Sequence, residues 1–254
     1  MGFLFEMAAS LRIGLRAMVA NKVRGLLTTL GIIIGIVAVI TTMTAANGLG
    51  NSFKESISAL GSDVLYVSKM PWVMNRNFFE FRNRQSLTLK DAEKLAERLE
   101  DAVAVNPTTS TNQPIKFGSK TLENIDIIGT TEKHIIISAS LPEYGRFLTA
   151  NDVVYRKRVC VIGTDIKERL FRGADPVNKK LKIGRYHFLV VGVMEKQGSA
   201  SFFGGPSFDS QIYVPITAFM KNFGGRNRDF DIAIKAPPDQ ALADYEYAVI
   251  GEMR

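Results

Sequence analysis

The most prominent pattern in the chain is a long stretch without charge near the N-terminus. Between Arg24 and Lys54 the sequence contains no Asp, Glu, Lys or Arg, and Gly25 to Ala46 consists of Gly, Ala, Thr, Met and aliphatic residues. About 20 apolar residues are enough for a helix to cross the ~30 Å hydrocarbon core of a bilayer. The pattern therefore predicts one transmembrane helix over residues 25–47.

Two other interpretations of this stretch are a secretory signal peptide and a buried helix of a soluble protein. A signal peptide has a short basic region before an apolar core of about 7–15 residues. Here the preceding region is 24 residues long and the apolar core is longer than that range. A soluble core helix is rarely apolar on every face for such a length. A retained transmembrane helix fits both length and composition.

Positive charge is concentrated on the N-terminal side of this predicted helix. The residues concerned are Arg12, Arg16, Lys22 and Arg24. Only Glu6 opposes them, whereas Lys54 on the far side is followed at once by Glu55. The positive-inside rule then places residues 1–24 in the cytoplasm and everything after about residue 47 outside it. The predicted location is the cell inner (plasma) membrane, with the bulk of the chain extracytoplasmic.

Residues 1–24 have the pattern of an amphipathic helix. An apolar stripe recurs at helical spacing, at Phe3, Met7, Leu11, Leu15 and Met18. Arg12 and Arg16 point away from that stripe. Such a helix beside a membrane span is expected to lie in the cytoplasmic headgroup layer. The alternative is an ordinary helix packed on a partner subunit.

The helical pattern continues beyond the predicted membrane surface. A one-sided apolar stripe runs through Leu49, Phe53, Ile57 and Leu60. Gly61 supplies a C-terminal stop, so residues 48–61 are predicted to form an extracytoplasmic stalk helix. Gly48 and Gly50 weaken its continuity and leave a kink possible.

The rest of the chain predicts an α+β fold. A strand at Asp63–Ser68, a helix capped by Thr88 and a short strand at Val103–Val105 form an opening strand–helix unit. A strand at Asp229–Lys235 and a helix at Asp239–Arg254 form a closing unit. The strands predicted between these units are Leu122–Gly129, Arg158–Ile162, Lys180–Ile183, Tyr186–Val193 and Gln211–Val214, with Gly184-Arg185 as a two-residue hairpin turn.

The composition of the chain gives little indication of a catalytic or metal-binding site. The formal charge is +7, and the chain has one Cys and two His, which excludes a disulfide scaffold and disfavours a zinc site. His134 and His187 stand far apart, and Cys160 lies in an apolar strand as a structural thiol. The string at residues 118–121, Gly-Ser-Lys-Thr, lacks the second Gly of a phosphate-binding loop. We therefore predict no catalytic residues, no bound cofactor, no metal and, because the basic clusters lie outside the cell, no nucleic acid.

One loop has the composition of a contact surface. Residues 197–206 combine Gly and Ser with the adjacent aromatics Phe202 and Phe203. Exposed aromatics usually mark contacts. The loop is either a mobile hairpin tip with its Phe residues tucked locally, or a contact with a second protomer or an adaptor protein.

Several motifs, taken in order, carry a family resemblance. Residues 21–35, Asn-Lys-Val-Arg-Gly-Leu-Leu-Thr-Thr-Leu-Gly-Ile-Ile-Ile-Gly, resemble the first-helix signature of MacB/FtsX-type ABC transporter permeases. Motifs similar to those of the MacB-like periplasmic core domain follow within residues 8–235. They are Leu60-Gly61-Ser62-Asp63, Gly145-Arg146-Phe147 with Asp152, residues 159–163, Leu170-Phe171, Asp175-Pro176, Phe188 with Val191-Gly192-Val193, and residues 212–215.

The resemblance implies a permease subunit with a large extracytoplasmic domain after its first transmembrane helix. In this family a porter lobe is interrupted by a sabre lobe. That assigns residues 62–112 and 229–254 to the two halves of an α/β porter lobe, the second incomplete, and residues 113–228 to an inserted β-rich sabre lobe. Two features depart from the family. The three later transmembrane helices are absent, and Asp175-Pro176-Val177-Asn178 stands where Asp-Pro-Ile-Gly is usual.

The resemblance also implies partners and a mechanism. A separate ABC ATPase subunit would use ATP and Mg, and a second permease protomer would complete a homodimer or heterodimer. A periplasmic adaptor protein is a further possible partner. Conformational change would pass along the stalk for export or lipoprotein release. The alternatives are a signalling permease, a regulator of a cell-wall hydrolase, or a single-span anchored binding module.

The family context also suggests a packing surface inside the membrane. Gly31 and Gly35 are four residues apart and lie on one helix face. Small residues at this spacing let helices approach closely. We therefore predict that this face packs on another transmembrane helix of the same permease or of its dimer partner.

Overall fold

The computed structural model of the chain describes Met7, Ser10 and residues 12–14, 22–60, 63–70, 84–138, 140–196, 207–225, 228–240 and 242–253. Within residues 51–60 it describes the backbone alone. The chain divides into two compact units, Met1–Phe53 and Lys54–Arg254. Most of the predicted amphipathic helix falls outside the described residues, so its amphipathic character stays a prediction.

The uncharged stretch forms helix α1, Lys22–Leu60, which runs for 39 residues without a break. The helical backbone continues past Gly48 and Gly50 to Leu60, while the role of residues 48–61 as an extracytoplasmic stalk stays a prediction. Among the described residues, Lys22–Gly50 is the one helix long and apolar enough to cross a membrane. The share of this segment that is buried among the described residues is 0%.

Threonine hydroxyls in α1 are satisfied by the backbone of the same helix. Thr28, Thr41 and Thr42 each donate to the carbonyl four residues earlier, at 2.9, 2.7 and 2.8 Å. In hydrocarbon no water is available to bond a polar group. These bonds make the threonines compatible with a membrane-spanning helix.

The second unit contains strands and short helices. Its described strands are β1 Val64–Val67, β2 Ala104–Phe117, β3 Lys120–Thr130, β4 Pro142–Gly145, β5 Val159–Ile162, β6 Lys180–Ile183, β7 Tyr186–Met194, β8 Gln211–Pro215 and β9 Asp231–Lys235. Its described helices are α2 Leu89–Arg98, α3 His134–Ser138, α4 Ala150–Val154, α5 Thr164–Ile166 with a π-helical continuation Lys167–Phe171, α6 Ile216–Phe223 and α7 Leu242–Glu252, and a 3₁₀ turn spans Phe208–Ser210.

A small antiparallel sheet joins the two ends of this unit in the order β1–β9–β2. Helices α2 and α7 cover one face, where Leu95, Ile234 and Tyr245 belong to one buried cluster. Helix α3 covers the opposite face through Ile137, which packs with Ala233 and its neighbours. The capping box predicted at the start of α2 is confirmed, because the Thr88 backbone N–H donates to the Asp91 carboxylate at 2.8 Å.

The remaining strands close into a six-stranded barrel. The pairing runs β2–β3–β8–β5–β7–β6 and returns to β2. Strand β4 pairs with the C-terminal part of β7, beyond the residues that pair with β6. Its interior is filled by apolar side chains that are fully or almost fully buried, among them Ile115, Ile127, Leu181 and Phe188. The predicted hairpin between β6 and β7 is confirmed, and Gly184 takes the positive φ of 55° that its turn requires.

Strand β2 differs from its prediction. The sequence pattern predicts that a short strand ends at Val105, before Asn106-Pro107. In the structure, β2 continues to Phe117 and includes two prolines. Pro107 pairs with Ile232 on β9, and pairing with β3 begins only at Thr109. The missing N–H of Pro107 therefore interrupts no ladder on its other side. The assignment of residues 62–112, 113–228 and 229–254 to lobes stays a prediction, while β2 itself continues across residue 112.

Candidate functional site

The two glycines of the predicted membrane packing face lie in the middle of α1. A Cβ added at Gly31 or Gly35 would meet no heavy atom within 4 Å. Within the part of the chain that the structure describes, no side chain or backbone atom therefore packs on these two glycines. Its use as a contact with another helix stays a prediction.

Leucine in place of Gly35 is expected to weaken assembly of the full-length subunit. Forcing a large side chain into a packed contact costs about 1–3 kcal/mol, and each 1.4 kcal/mol is about tenfold in dimer dissociation. Light scattering on the purified protein in detergent measures the dimer fraction. Val37→Leu, on the opposite face, is the matched control. Unchanged dimerisation of the Gly35 variant would show that the glycines face lipid.

The structure describes the predicted stalk residues but not the predicted contact loop. Leu49 is exposed on α1, and Phe53, Ile57 and Leu60 lie within the same helix, where only the backbone is described. Their spacing of four, four and three residues places them on one side of the helix. Phe202 and Phe203 lie outside the described residues, so their role as a partner contact stays a prediction.

A buried polar junction joins the small sheet to the barrel. Asn106 on β2 is fully buried. Its side-chain oxygen accepts from the Thr131 hydroxyl at 2.7 Å, and its amide donates to the Thr130 hydroxyl at 3.0 Å. The same amide lies 3.5 Å from Nδ1 of His134 at the start of α3. One side chain thus ties β2, the end of β3 and α3 together.

The ring of His134 completes this junction on the barrel side. Its centroid lies 4.9 Å from that of Tyr213 and 5.9 Å from that of Phe147. Burial lowers the pKa of His134 to about 4. The imidazole is therefore neutral at pH 7 and can accept a hydrogen bond from Asn106. His134 is half-buried, and its contacts with Asn106, Phe147 and Tyr213 give it a structural place.

A second cluster explains the motif Gly145-Arg146-Phe147 with Asp152. Asp152 is fully buried in α4, and one of its carboxylate oxygens accepts from Arg146 at 2.6 Å while the other lies 3.2 Å from Lys157 Nζ. The Thr149 hydroxyl also donates to it, at 2.8 Å, as part of a capping box. The cluster clamps β4, α4 and the start of β5 together.

These donors outweigh the cost of burying the Asp152 charge. Burial by itself raises the pKa of this carboxyl, but the hydrogen bonds from Arg146, Thr149 and Lys157 lower it to about 2. The carboxylate is therefore ionised at every physiological pH. Because both cations are about half exposed, they remain hydrated, and the cluster serves stability rather than chemistry.

The motif glycines allow β4 and β7 to approach closely. Gly145 has φ 73°, and a Cβ there would lie 2.3 Å from the Val191 carbonyl oxygen. A Cβ at Gly192 would lie 2.3 Å from the Arg146 carbonyl oxygen. The Arg146 N–H donates to the Val191 carbonyl at 3.0 Å. Only glycine fits this crossing of two backbones.

The departure from the family at residues 175–178 is accommodated by the backbone. Asn178 has φ 62°, the left-handed conformation that glycine adopts most easily and asparagine tolerates best among other residues. The Asp175 carboxylate accepts from the Val177 N–H at 2.9 Å. Asparagine is therefore tolerated at this position of the turn.

The residues for which no catalytic or metal-binding role was predicted have structural roles in the fold. Residues 118–121 include the two-residue turn of the β2–β3 hairpin, since Phe117 pairs with Lys120. A phosphate-binding loop instead leads from a strand into a helix. Cys160 is fully buried in the barrel, and burial raises the pKa of its thiol. Within the described residues no group of three or more His, Cys, Asp or Glu side chains could hold a metal.

An apolar groove lies beside α2 and α4. It measures about 230 Å³, and its walls include Leu89, Ala96, Val105 and Val153. Ligand pockets are usually larger, at about 300–1,000 Å³. The groove can accept a few apolar side chains rather than a drug-sized molecule.

The fold defines a class of protein, namely an α+β domain that follows an apolar helix of membrane-spanning length. The family model described as MacB-like periplasmic core domain matches residues 26–250. The chain belongs to that family, which confirms the resemblance inferred from the motifs.

Similar proteins agree with this assignment. The chain is 30% identical to the macrolide export ATP-binding/permease protein MacB of Bdellovibrio bacteriovorus, over 87% of this chain and 34% of the relative. It is 30% identical to MacB of Neisseria gonorrhoeae, over 91% and 34% respectively. The chain thus spans about a third of the length of the curated relatives it matches.

Solved structures show the same fold at lower identity. The periplasmic region of MacB from Actinobacillus actinomycetemcomitans matches with a TM-score of 0.64 and 21% identity, covering 76% of this chain and 83% of that one. The extracellular domain of the ABC-type transporter YknZ from Gram-positive bacteria matches with a TM-score of 0.54 and 19% identity, covering 73% and 86%. At these identities the likeness concerns the fold alone.

Proposed function

We propose that this chain is part of a permease subunit that couples ATP hydrolysis in the cytoplasm to movement of an extracytoplasmic domain. The movement would drive export or lipoprotein release, and the chain itself would perform no bond chemistry. ATP and Mg would be bound by a separate ABC ATPase subunit. A second permease protomer and, in an export system, a periplasmic adaptor would complete the assembly.

The observation that carries this proposal is the continuity of α1. One helix of 39 residues contains the membrane-length apolar segment Lys22–Gly50 and continues beyond it to Leu60, and most of this helix lies within the matched residues 26–250. At 1.5 Å per residue it is about 58 Å long, against ~30 Å of hydrocarbon. A helix resists bending and compression more than a loop does, so displacement at its membrane end can reach its far end.

The orientation that this proposal requires can be measured directly. With Arg12, Arg16, Lys22 and Arg24 on one side of the span, a reporter fused after Asn112 is expected to be extracytoplasmic. The same reporter fused at Ser10 is expected to be cytoplasmic. Paired alkaline phosphatase and green fluorescent protein fusions give opposite signals on the two sides. A cytoplasmic signal at Asn112 would refute the proposed topology and with it the function.

A further inference from the structure

A depression of about 410 Å³ lies on the barrel and is lined by Arg158, Lys180, His187, Phe188 and Leu189. Three of its five lining residues are basic, and none is acidic. The basic residues Arg158, Lys180 and His187 are all exposed. The depression therefore presents cationic groups with hydrogen-bond donors around the half-buried side chain of Leu189.

The strands beside the depression extend the positive charge. Lys116 on β2 pairs with Lys182 on β6, which pairs in turn with His187 on β7. Directly opposed side chains on antiparallel strands lie about 5 Å apart at Cβ, and like charges at that separation are destabilising. Within the described residues, none of the lysines and arginines of this surface has a carboxylate within 4.0 Å.

Aromatic contacts hold the arginines near this surface. The Arg158 guanidinium lies 5.3 Å from the centre of the Tyr186 ring, and that of Arg185 lies 5.1 Å from it. Cation–π contacts of this kind restrain a guanidinium without using up its N–H donors. Arg158 can thus remain beside the depression and still bind an anion.

The local sequence is strongly unbalanced in charge. Residues 156–187 contain ten Lys or Arg but only three Asp or Glu. One of those acids, Asp165, already accepts from the Ser210 hydroxyl at 2.8 Å. The segment that supplies β5, β6 and the start of β7 is thus the source of the basic surface.

We propose that this depression binds a phosphoryl group. A phosphate monoester or pyrophosphate carries two or more negative charges and several acceptor oxygens, so one ligand can engage Arg158 and Lys180 together. Guanidinium binds such oxygens in pairs, and ammonium binds them as a point charge. A single carboxylate would neutralise only one of these cations. The phosphoryl group belongs either to a soluble phosphorylated compound or to a lipid headgroup that ends in a phosphate monoester, since both offer the same oxygens.

The test measures binding of inorganic pyrophosphate to the 254-residue chain in phosphatidylcholine nanodiscs by calorimetry at low ionic strength. Wild type is expected to bind saturably, and Arg158→Gln and Lys180→Gln are each expected to weaken binding about tenfold. Lys90→Gln, an exposed lysine on α2, removes the same charge elsewhere and is expected to change binding less than twofold. Equal melting temperatures would show that all three variants remain folded.

A second arm identifies the source of the phosphoryl group. Vesicles of phosphatidylcholine containing phosphatidic acid, whose headgroup is a phosphate monoester, are added during the titration, with pure phosphatidylcholine vesicles as the control. Displacement of pyrophosphate by the anionic vesicles alone indicates a lipid headgroup, and no displacement indicates a soluble phosphorylated compound. Absence of saturable pyrophosphate binding, or an equal loss in Lys90→Gln, would overturn the proposal. So would binding of polyglutamate with no binding of pyrophosphate.

Discussion

Proline in place of Ser56 is expected to stop export while the assembled transporter continues to hydrolyse ATP. Ser56 lies inside the last part of α1, four residues before its end at Leu60. Proline there removes one backbone hydrogen bond and clashes with the preceding turn, at a cost of about 3 kcal/mol or more. The substitution lies beyond the apolar segment that ends at Gly50, so insertion into the membrane should be unaffected. ATP hydrolysis and substrate export are measured on the same reconstituted full-length complex.

Ser56→Ala is the control, because alanine favours the helix and should leave both activities intact. Normal export by the proline variant would mean that this segment acts as a flexible linker, and the mechanical proposal would fail. Loss of both activities would instead indicate failed assembly, which dimer yield reports independently. The same pair of variants separates the alternatives: a signalling permease would lose its signal without any export to measure, and an anchored binding module would be insensitive to the change.

The features that could be predicted from sequence are those whose conformation is determined by residues close together in the chain. Helix α1 followed from an uncharged stretch and an apolar stripe, and the start of α2 followed from Thr88 and Asp91. The β6–β7 hairpin followed from Gly184 between two alternating strands. In each case the local residues determine the backbone, so no knowledge of distant contacts is needed.

Strand β2 was underestimated because its conformation depends on partners far away in sequence. Asn106-Pro107 reads locally as the end of a strand. In the fold, Pro107 has β9 on one side and no ladder on the other, so the missing N–H carries no penalty. Asn106 finds its partners at Thr130 and Thr131, more than twenty residues away. The residues immediately around Asn106 and Pro107 give no information about these distant partners.

The candidate sites divide in the same way. The motif with Arg146 and Asp152 was recognisable as a family feature, but its role as a buried ion cluster requires the fold that brings α4 beside β4. The basic surface could be seen as the cluster Arg156-Lys157-Arg158. The fold then separates its members, because Lys157 pairs with Asp152 while Arg158 lines the depression. The sequence shows how many basic residues lie close together in the chain, but not which of them share one surface of the folded domain.

Asparagine in place of Asp152 is expected to destabilise the extracytoplasmic unit by about 2–3 kcal/mol. An amide is neutral, and its NH₂ group would face the donors of Arg146 or Lys157, so strong charge-assisted hydrogen bonds are lost in a fully buried position. For a unit of this size the loss corresponds to a fall in melting temperature of roughly 5–10 °C. Thermal unfolding followed by circular dichroism on the chain in detergent measures it. Glu123→Gln, an exposed carboxylate on β3, is the control and should melt like the wild type.

The pH dependence distinguishes lost charge from a packing defect at Asp152. Its pKa is about 2 in the folded chain against an ordinary value of 3.8. The folded state therefore binds this proton less readily than the unfolded state, and the carboxylate contributes about 2 kcal/mol of stability above pH ~4. That contribution is lost as the pH falls towards 2, when wild-type Asp152 becomes protonated. The difference in melting temperature between wild type and Asp152→Asn should therefore be constant from pH 7 to 5 and shrink by most of its size by pH 2.5. A difference that stays the same at every pH would show that the variant disturbs packing and that the buried charge adds no stability.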